Sequence, residues 1–580
     1  MDKGAYTLDP VHPPLTRIFI GVPLYLAGAR LPILPLSDAH DACTVGNAIL
    51  NRSGEHPRNL MLARIGVIPF FLLGCAVVFF WTRREFGDFA AAVAVGLFTT
   101  VPPVLAFSSI AYTDIVAGCT QTLGCWAFVL WLKKIDWRST VWLGLAMGLA
   151  ILAKATTYLF LPACGASIVV LKLVVSRKMP DAKNYKRAAK QIAAAVAIAM
   201  ALLWAGYGFA IGRVQQSMQL SPDSMPSFQY FPAFVGRISR DFIRANPVLP
   251  APALIRGMAI AWVMNKAHPS AYLLDRTKPG GYWYCFLVVL AVKSPIPFLL
   301  LVAVGLVSFK RLAREKRWAA MAPAACVLAI LLVTMPVSLN AGVRHVLVVY
   351  PLLAIVAGCG CSYLWHLQGR GRTWGRLLLV VLLLWQGVSS LRASGDYLAY
   401  FNEFAEKDPG KVLMGGCDLD CGQDLFRLSR ELRARHISHV SLALWTSADV
   451  SKMGLPEFKV PEPHQPVRGW FAISLRARLG EVFHSPYPAD SFFWLDRYQP
   501  VDHVGKTILL YYIPEGVKGE SRIGHRSKRA YYLPVSYFGK QKLLTAKNAK
   551  DSQRSRREAQ SRLGHHFLRT HTRSLLCVRD

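Results

Sequence analysis

Apolar positions along this chain do not alternate with polar ones as a soluble core requires. They run in blocks of about 20 residues, the length a helix needs to cross about 30 Å of hydrocarbon. Short basic loops separate the blocks. The pattern predicts spans at 62–81, 89–110, 111–132, 140–153, 155–175, 190–211, 283–308, 319–336, 346–366 and 376–391. Residues 18–36 are also apolar, but Arg30 and the nearby Pro14, Pro23, Pro32 and Pro35 predict an interfacial or re-entrant helix there. After Asp396 the periodicity changes. Leu425, Leu428 and Leu432 share one face of a helix over 423–436. HVSLALW (439–445), WFAISL (470–475) and KTILLYY (506–512) read as strands. The expected fold is a polytopic α-helical membrane protein with a small C-terminal α/β domain.

Composition strengthens this picture. Of 580 residues, 53% are hydrophobic and 17% charged, against about 25% charged in an ordinary soluble domain. A simple soluble enzyme, a disordered chain and a fibrous repeat are excluded. The net charge of +33 resembles a nucleic-acid signal, but its distribution says otherwise. Residues 518–580 alone hold 16 Lys and Arg against 4 Asp and Glu, and much of the rest lies in interspan loops, where positive charge reports orientation. No nucleic-acid partner is expected.

The basic loops are Arg83-Arg84, Lys133-Lys134-Arg138, 172–190, 310–317 and Arg370-Arg372-Arg376. Every second loop is basic, so all five belong in the cytoplasm. Four regions follow: an external N-terminal segment with an interfacial helix (1–61), a multi-span domain (62–395) with an external loop at 212–281, an extracytoplasmic α/β domain (396–517), and a basic tail (518–580) whose composition predicts disorder. The expected location is the cytoplasmic (inner) membrane. Nothing in the sequence carries the first segment across, so an upstream transmembrane helix is expected. Met1 to Pro14 is polar and Pro-rich, unlike a cleavable signal.

Ionisable groups within or beside apolar spans are expensive, about 2.5–3.5 kcal/mol at the centre, and are functional suspects. The outer-side candidates are Asp114, Lys154, Lys293, Arg344, His345 and, in the N-terminal segment, His12. Lys293 precedes Ser294-Pro295-Ile296-Pro297, where two prolines break a helix and let a cation line a cavity. A carboxylate, several cations and a histidine on one membrane face suit an anionic lipid headgroup. Arg and Lys neutralise a phosphate, and a carboxylate acts as base or positions an acceptor. Asp114 is the candidate catalytic residue; the other five are candidate substrate contacts. Each has a plainer reading. Lys154 and Lys293 can snorkel, Asp114 can cap a helix, and His12 can be a turn residue before Pro13-Pro14.

Eight of the 12 cysteines (Cys75, Cys119, Cys125, Cys164, Cys285, Cys326, Cys359, Cys361) sit in apolar segments and read as small hydrophobes. Cys417 and Cys421 lie where a disulfide is permitted, but their spacing does not specify one. No metal ligand set is assigned, and metal dependence stays open. No P-loop, nucleophile elbow or HExxH motif is present.

Several segments resemble the polyprenyl-phosphate-dependent glycosyltransferases of family 39, in the protein mannosyltransferase-like GT-C superfamily. They are GAYTLDPVHPPL (4–15), LARIG (62–66), REFGD (84–88), SSIAYTD (108–114), GLAMGLAILAKAT (144–156), YWYCFLVVLAVKSPIP (282–297) and NAGVRHVLVVYP (340–351). FNEFA (401–405) and CDLDCGQDL (417–425) resemble segments of bacterial members with a C-terminal domain, where the second reads close to DSNLDWGQDL. The resemblance covers about 4–515 and rests on motif order and spacing. It implies a GT-C-like bundle and an inverting transferase facing outward. A sugar on a polyprenyl phosphate, the donor substrate, passes to a protein, lipid or glycan acceptor. It makes His12 and Asp114 site-lining, and Lys293, Arg344 and His345 contacts for phosphate or sugar. The acidic pair and first helix that the resemblance implies would precede His12 by more residues than this sequence has. Val11 stands where an acid usually precedes the His-Pro-Pro segment, Cys417 where a polar residue is usual and Cys421 where Trp is usual. An N-terminally truncated member is therefore expected. The rival readings are an inactive relative that only binds lipid headgroups and a membrane transporter or flippase. The latter predicts paired repeats with broken helices, and no such internal symmetry is visible.

Overall fold

The structure, a computed structural model, describes residues 8–31, 42–176, 182–215, 233–266, 270–414, 416–479, 487–488 and 490–514. The predicted disordered tail at 518–580 lies outside the described residues.

The apolar blocks become helices. The first half holds α1 (Pro14–Leu26), α2 (Ala42–Leu50), α3 (His56–Ile65), α4 (Ile68–Phe86), α5 (Asp88–Thr100), α6 (Pro102–Ser108), α7 (Thr113–Lys133), α8 (Trp137–Ala153), α9 (Thr157–Ser176) and α10 (Ala182–Gly206). After α11 (Ala233–Ala245) and α12 (Pro252–Lys266) come α13 (Cys285–Lys293), α14 (Ile296–Val307), α15 (Phe309–Arg314), α16 (Trp318–Thr334), α17 (Val343–Val346), α18 (Val349–Trp365) and α19 (Gly371–Arg392). Among the described residues six helices are long and apolar enough to cross a membrane, or seven if the bent pair α5–α6 is one span. Four further apolar helices, α1, α8, α16 and α18, are shorter. The chain is a multi-pass membrane protein.

Two predicted spans are corrected. The span at 89–110 bends by 69° between α5 and α6, because Pro102 and Pro103 can start a helix but not continue one. The span at 283–308 breaks at Ser294-Pro295 into α13 and α14, and the apolar stretch continues through α15 to Arg314. The stretch 211–281 contains α11, α12 and two antiparallel strand pairs, β1 (Ile211–Arg213) with β2 (Val248–Pro250) and β3 (Ser270–Leu273) with β4 (Arg276–Pro279).

Local signals set the boundaries. Asp136 and Ser139 form a reciprocal cap on α8, with Ser139 N donating to Asp136 Oδ1 at 2.8 Å. Close helix packing uses glycine. A Cβ on Gly360 of α18 would lie 2.2 Å from the Leu301 carbonyl of α14, and one on Gly305 of α14 would lie 2.2 Å from that of Val356. The bundle core includes Trp81, Phe98, Phe107, Val289, Phe298 and Tyr350.

The basic loops meet at one end of the bundle. Lys133 reaches Glu85 Oε1 at 2.5 Å, Arg317 donates to the Glu85 carbonyl, and Lys172 donates to the Leu132 carbonyl at 2.8 Å. Trp365, which stacks beneath Arg376, contacts Phe89. Asp114 lies at the opposite end of α7 from Lys133, about 28 Å away at the helical rise.

Beyond α19 stands a five-stranded sheet of order β6-β5-β7-β9-β8. Its strands are β5 (His439–Ala443), β6 (Glu457–Lys459), β7 (Gly469–Ser474), β8 (Asp502–Val504) and β9 (Ile508–Ile513). β5 is parallel to β6 and β7, while β9 is antiparallel to β7 and β8. Helix α20 (Leu425–Ala434) lays Leu428 and Leu432 against Val440, Leu442 and Leu510. The sheet region belongs to the same compact unit as the helices. Leu274 N donates to the Val412 carbonyl at 2.9 Å, which ties the β3–β4 pair to the approach to the sheet.

Candidate active site at the helix ends

Asp114 is the second residue of α7 and its side chain is fully enclosed. Lys154, which ends α8 as an extended residue, donates to Asp114 Oδ1. Arg344, on the single turn α17, places Nε 3.5 Å from Asp114 Oδ2. Its guanidinium also lies over the Tyr112 ring, 4.3 Å from the centroid. His345 stands beside these three charges and faces the Phe286 ring with 6.1 Å between centroids. Two cations thus flank one carboxylate, and the Asp418 carboxylate also acts on Arg344; in a low-dielectric setting these charges act at long range. Arg344 keeps 16% of its side chain exposed, against 9% for Lys154 and none for Asp114. It is the most exposed of the three.

The other two candidates stand apart from this trio. Lys293 ends α13 and is fully buried. Its Nζ donates to the carbonyls of Leu398 (2.9 Å) and Asp418 (2.6 Å) and lies 4.2 Å from the Phe401 ring centroid. These contacts tie it to the segment entering the sheet region, not to Asp114. His12 pairs with Asp9, Nδ1 to Oδ2 at 2.9 Å, just before α1. Burial opposes ionisation of Asp9, but the His12 hydrogen bond and charge, with Arg17, outweigh it and hold its carboxyl below the usual range.

The sequence reading missed a second layer. Asp418 is buried and accepts from Val343 N at 2.7 Å, so it caps the turn that carries Arg344. The Asp418 backbone carbonyl accepts from Lys293, so one residue joins the two cations. Arg476 donates to the Gly416 carbonyl and lies over the Trp445 ring, 3.4 Å from its centroid. Burial pushes both Asp418 and Asp420 up to about 6 and Arg476 down to about 10. Cys417 and Cys421 form a disulfide around this loop, the pairing that their spacing left open. The signal was the CDLDC stretch itself, two acids between two cysteines; Tyr112 and Asp9 carried no comparable signal beyond nearness to Asp114 and His12.

Residues 58–206 match the family described as dolichyl-phosphate-mannose-protein mannosyltransferase. That stretch contains Asp114 and Lys154. The likeness read from the motifs is borne out there. No curated protein matches the chain. Among solved structures, the chain is similar to ArnT from Cupriavidus metallidurans bound to undecaprenyl phosphate, at 14% identity over 87% of this chain and 95% of that one, with a TM-score of 0.38. It is also similar to the oligosaccharyltransferase AglB from Archaeoglobus fulgidus in complex with an inhibitory peptide and a dolichol-phosphate. There the identity is 12% over 77% of this chain and 56% of that one, with a TM-score of 0.39.

Proposed function

We propose that this protein is a glycosyltransferase that moves a sugar from a polyprenyl-phosphate donor to a protein, lipid or glycan acceptor at the outer face of the cytoplasmic membrane. The observation that carries the reading is the Asp114–Lys154–Arg344 cluster, buried at the bundle end remote from the basic loops. A phosphate diester or monoester at a helix mouth needs charge neutralisation, and a guanidinium supplies it through two parallel N–H donors. In this reading Arg344 meets the phosphate, and Lys154 adds charge from behind. His345 and His12 line the sugar side, and Lys293 fixes the wall behind them.

Asp114 is enclosed between two cations, which favours a positioning role over that of a free base. Its charge holds Lys154 and Arg344 aimed at the headgroup, and stabilising the leaving phosphate is the chemical gain. The placement of the positive-charge-rich loops at the other end supports an outward-facing site. The sheet region, on the same end as the cluster, is then extracytoplasmic.

The test is transfer of labelled sugar from a polyprenyl-phosphate donor by the purified chain in nanodiscs, offered protein, lipid and glycan acceptors in turn. Label is expected to leave the lipid and to depend on Arg344. Retention of all label on the donor with every acceptor rejects the enzyme reading, and lipid binding without turnover identifies a binding-only relative.

A further inference from the structure

Three of the eight intramembrane cysteines are more than small hydrophobes. Cys125 of α7, Cys164 of α9 and Cys326 of α16 come from separate helices, yet their Sγ atoms all lie within 4.8 Å of one another. Each is at most 1% exposed. Cys125 lies 11 residues beyond Asp114, about 16 Å along the helix axis, so the cluster is separate from the site above.

We infer that these three thiols form a binding site for a soft monovalent metal ion, of which Cu(I) is the physiological example. Three sulfurs with sides of 4.8 Å at most place a central ion no more than about 2.8 Å from each, and inward rotation of the thiols by about half an ångström reaches an ordinary metal–sulfur length of about 2.3 Å. The clustered side-chain donors are three sulfurs, with no carboxylate or imidazole among them. Such a set selects soft ions and rejects Mg(II), Ca(II) and Mn(II).

Charge narrows the choice further. Two neutral polar groups reach Cys164: Gln121 Nε2 lies 3.9 Å from its Sγ, and its thiol donates to the Cys326 carbonyl at 3.7 Å. A divalent ion with three thiolates would leave an uncompensated negative charge in hydrocarbon, which is expensive. A monovalent ion with one thiolate and two neutral thiols is uncharged overall. One S–H bond breaks, one metal–thiolate bond forms, two thiol sulfurs donate lone pairs, and one proton leaves per ion bound. No oxidant or reductant takes part.

An adjoining cavity of about 310 Å³ has Cys125 in its wall together with Met147, Tyr158, Leu161 and Ile168. Met147, whose thioether is itself a soft donor, lines the same cavity as Cys125. Once bound, the ion would fasten α7, α9 and α16 together at mid-bundle.

The experiment uses the full chain in nanodiscs, with Cys43→Ser and Cys577→Ser to remove the two thiols outside the apolar segments and the disulfide, and Ag(I) as a redox-inert probe. One Ag(I) per chain is expected, with one proton released per ion and three sulfur scatterers in its X-ray absorption spectrum. Cys125→Ala, Cys164→Ala and Cys326→Ala should each weaken binding at least tenfold, whereas Cys285→Ala should leave it unchanged. Equal binding by the triple alanine variant overturns the inference. So does an absorption spectrum of the parent chain without a three-sulfur shell, a readout that needs no core substitution.

Discussion

Asp114 shows what a single residue can reveal and conceal. A carboxylate at the start of an apolar helix was legible because charge is costly there, and so were Lys154 and Arg344 for the same reason. That Asp114 holds both of them was not legible, since the partners lie 40 and 230 positions along the chain. Asp114→Asn is expected to leave two buried cations without a counter-charge and to cost about 3–5 kcal/mol of stability, read in denaturant melts. Adding Lys154→Met should return part of that loss, a coupling that a double-mutant cycle measures. Asp418 is the converse case. It sits in a stretch of soluble composition, where acids are ordinary, and only the fold brings it to Val343, 75 positions away. Burial raises the Asp418 and Asp420 carboxyls to about 6, above about 4 in the unfolded chain. The folded protein therefore holds more protons than the unfolded chain between pH 4 and 6, and stability falls as pH rises through that window and levels above it. Asp418→Asn should remove about half of this slope, as measured by melting temperature against pH.

Elements carry the next part of the explanation. The helical blocks were plain from hydropathy alone, and their breaks follow from proline. What hydropathy cannot supply is which helices touch, and there small residues decide. Gly305 and Gly360 bring α14 and α18 into backbone contact, so Gly360→Leu is expected to force them apart and lower the melting temperature by several degrees or more. Gly342 serves α17 in a different way. Its φ of +72° favours glycine, and a Cβ there would lie 1.6 Å from Asp418 Oδ2. Gly342→Ala should thus evict Asp418 from its cap and release the turn carrying Arg344. The expected result is weaker lipid binding, together with about 1–3 kcal/mol of stability lost to the strained backbone. Binding equal to the parent chain would mean that the Asp418 contact does not position Arg344.

At the largest scale, the described residues are polarised from end to end. Cations gather in loops at one end and pair with acids in a buried cluster at the other, and the sheet region closes over the second end. The alternation of basic and neutral loops was legible in the sequence and supports the proposed orientation. It did not give the closure, because the contacts of Lys293 with residues 398 and 418 are made by backbone carbonyls, and carbonyls leave no trace in residue identity. In the proposed orientation, a periplasmic reporter fused after residue 514 should be active and one inserted in the 310–317 loop silent. The most direct measurement of the central claim is undecaprenyl phosphate binding to the purified chain in nanodiscs, compared among the parent, Arg344→Ala and Arg84→Ala. Arg344→Ala should raise Kd at least about tenfold, equivalent to about 1.4 kcal/mol, while Arg84→Ala, at the opposite end, should leave it unchanged. Equal Kd values for the parent and Arg344→Ala would contradict a lipid phosphate docked at this cluster.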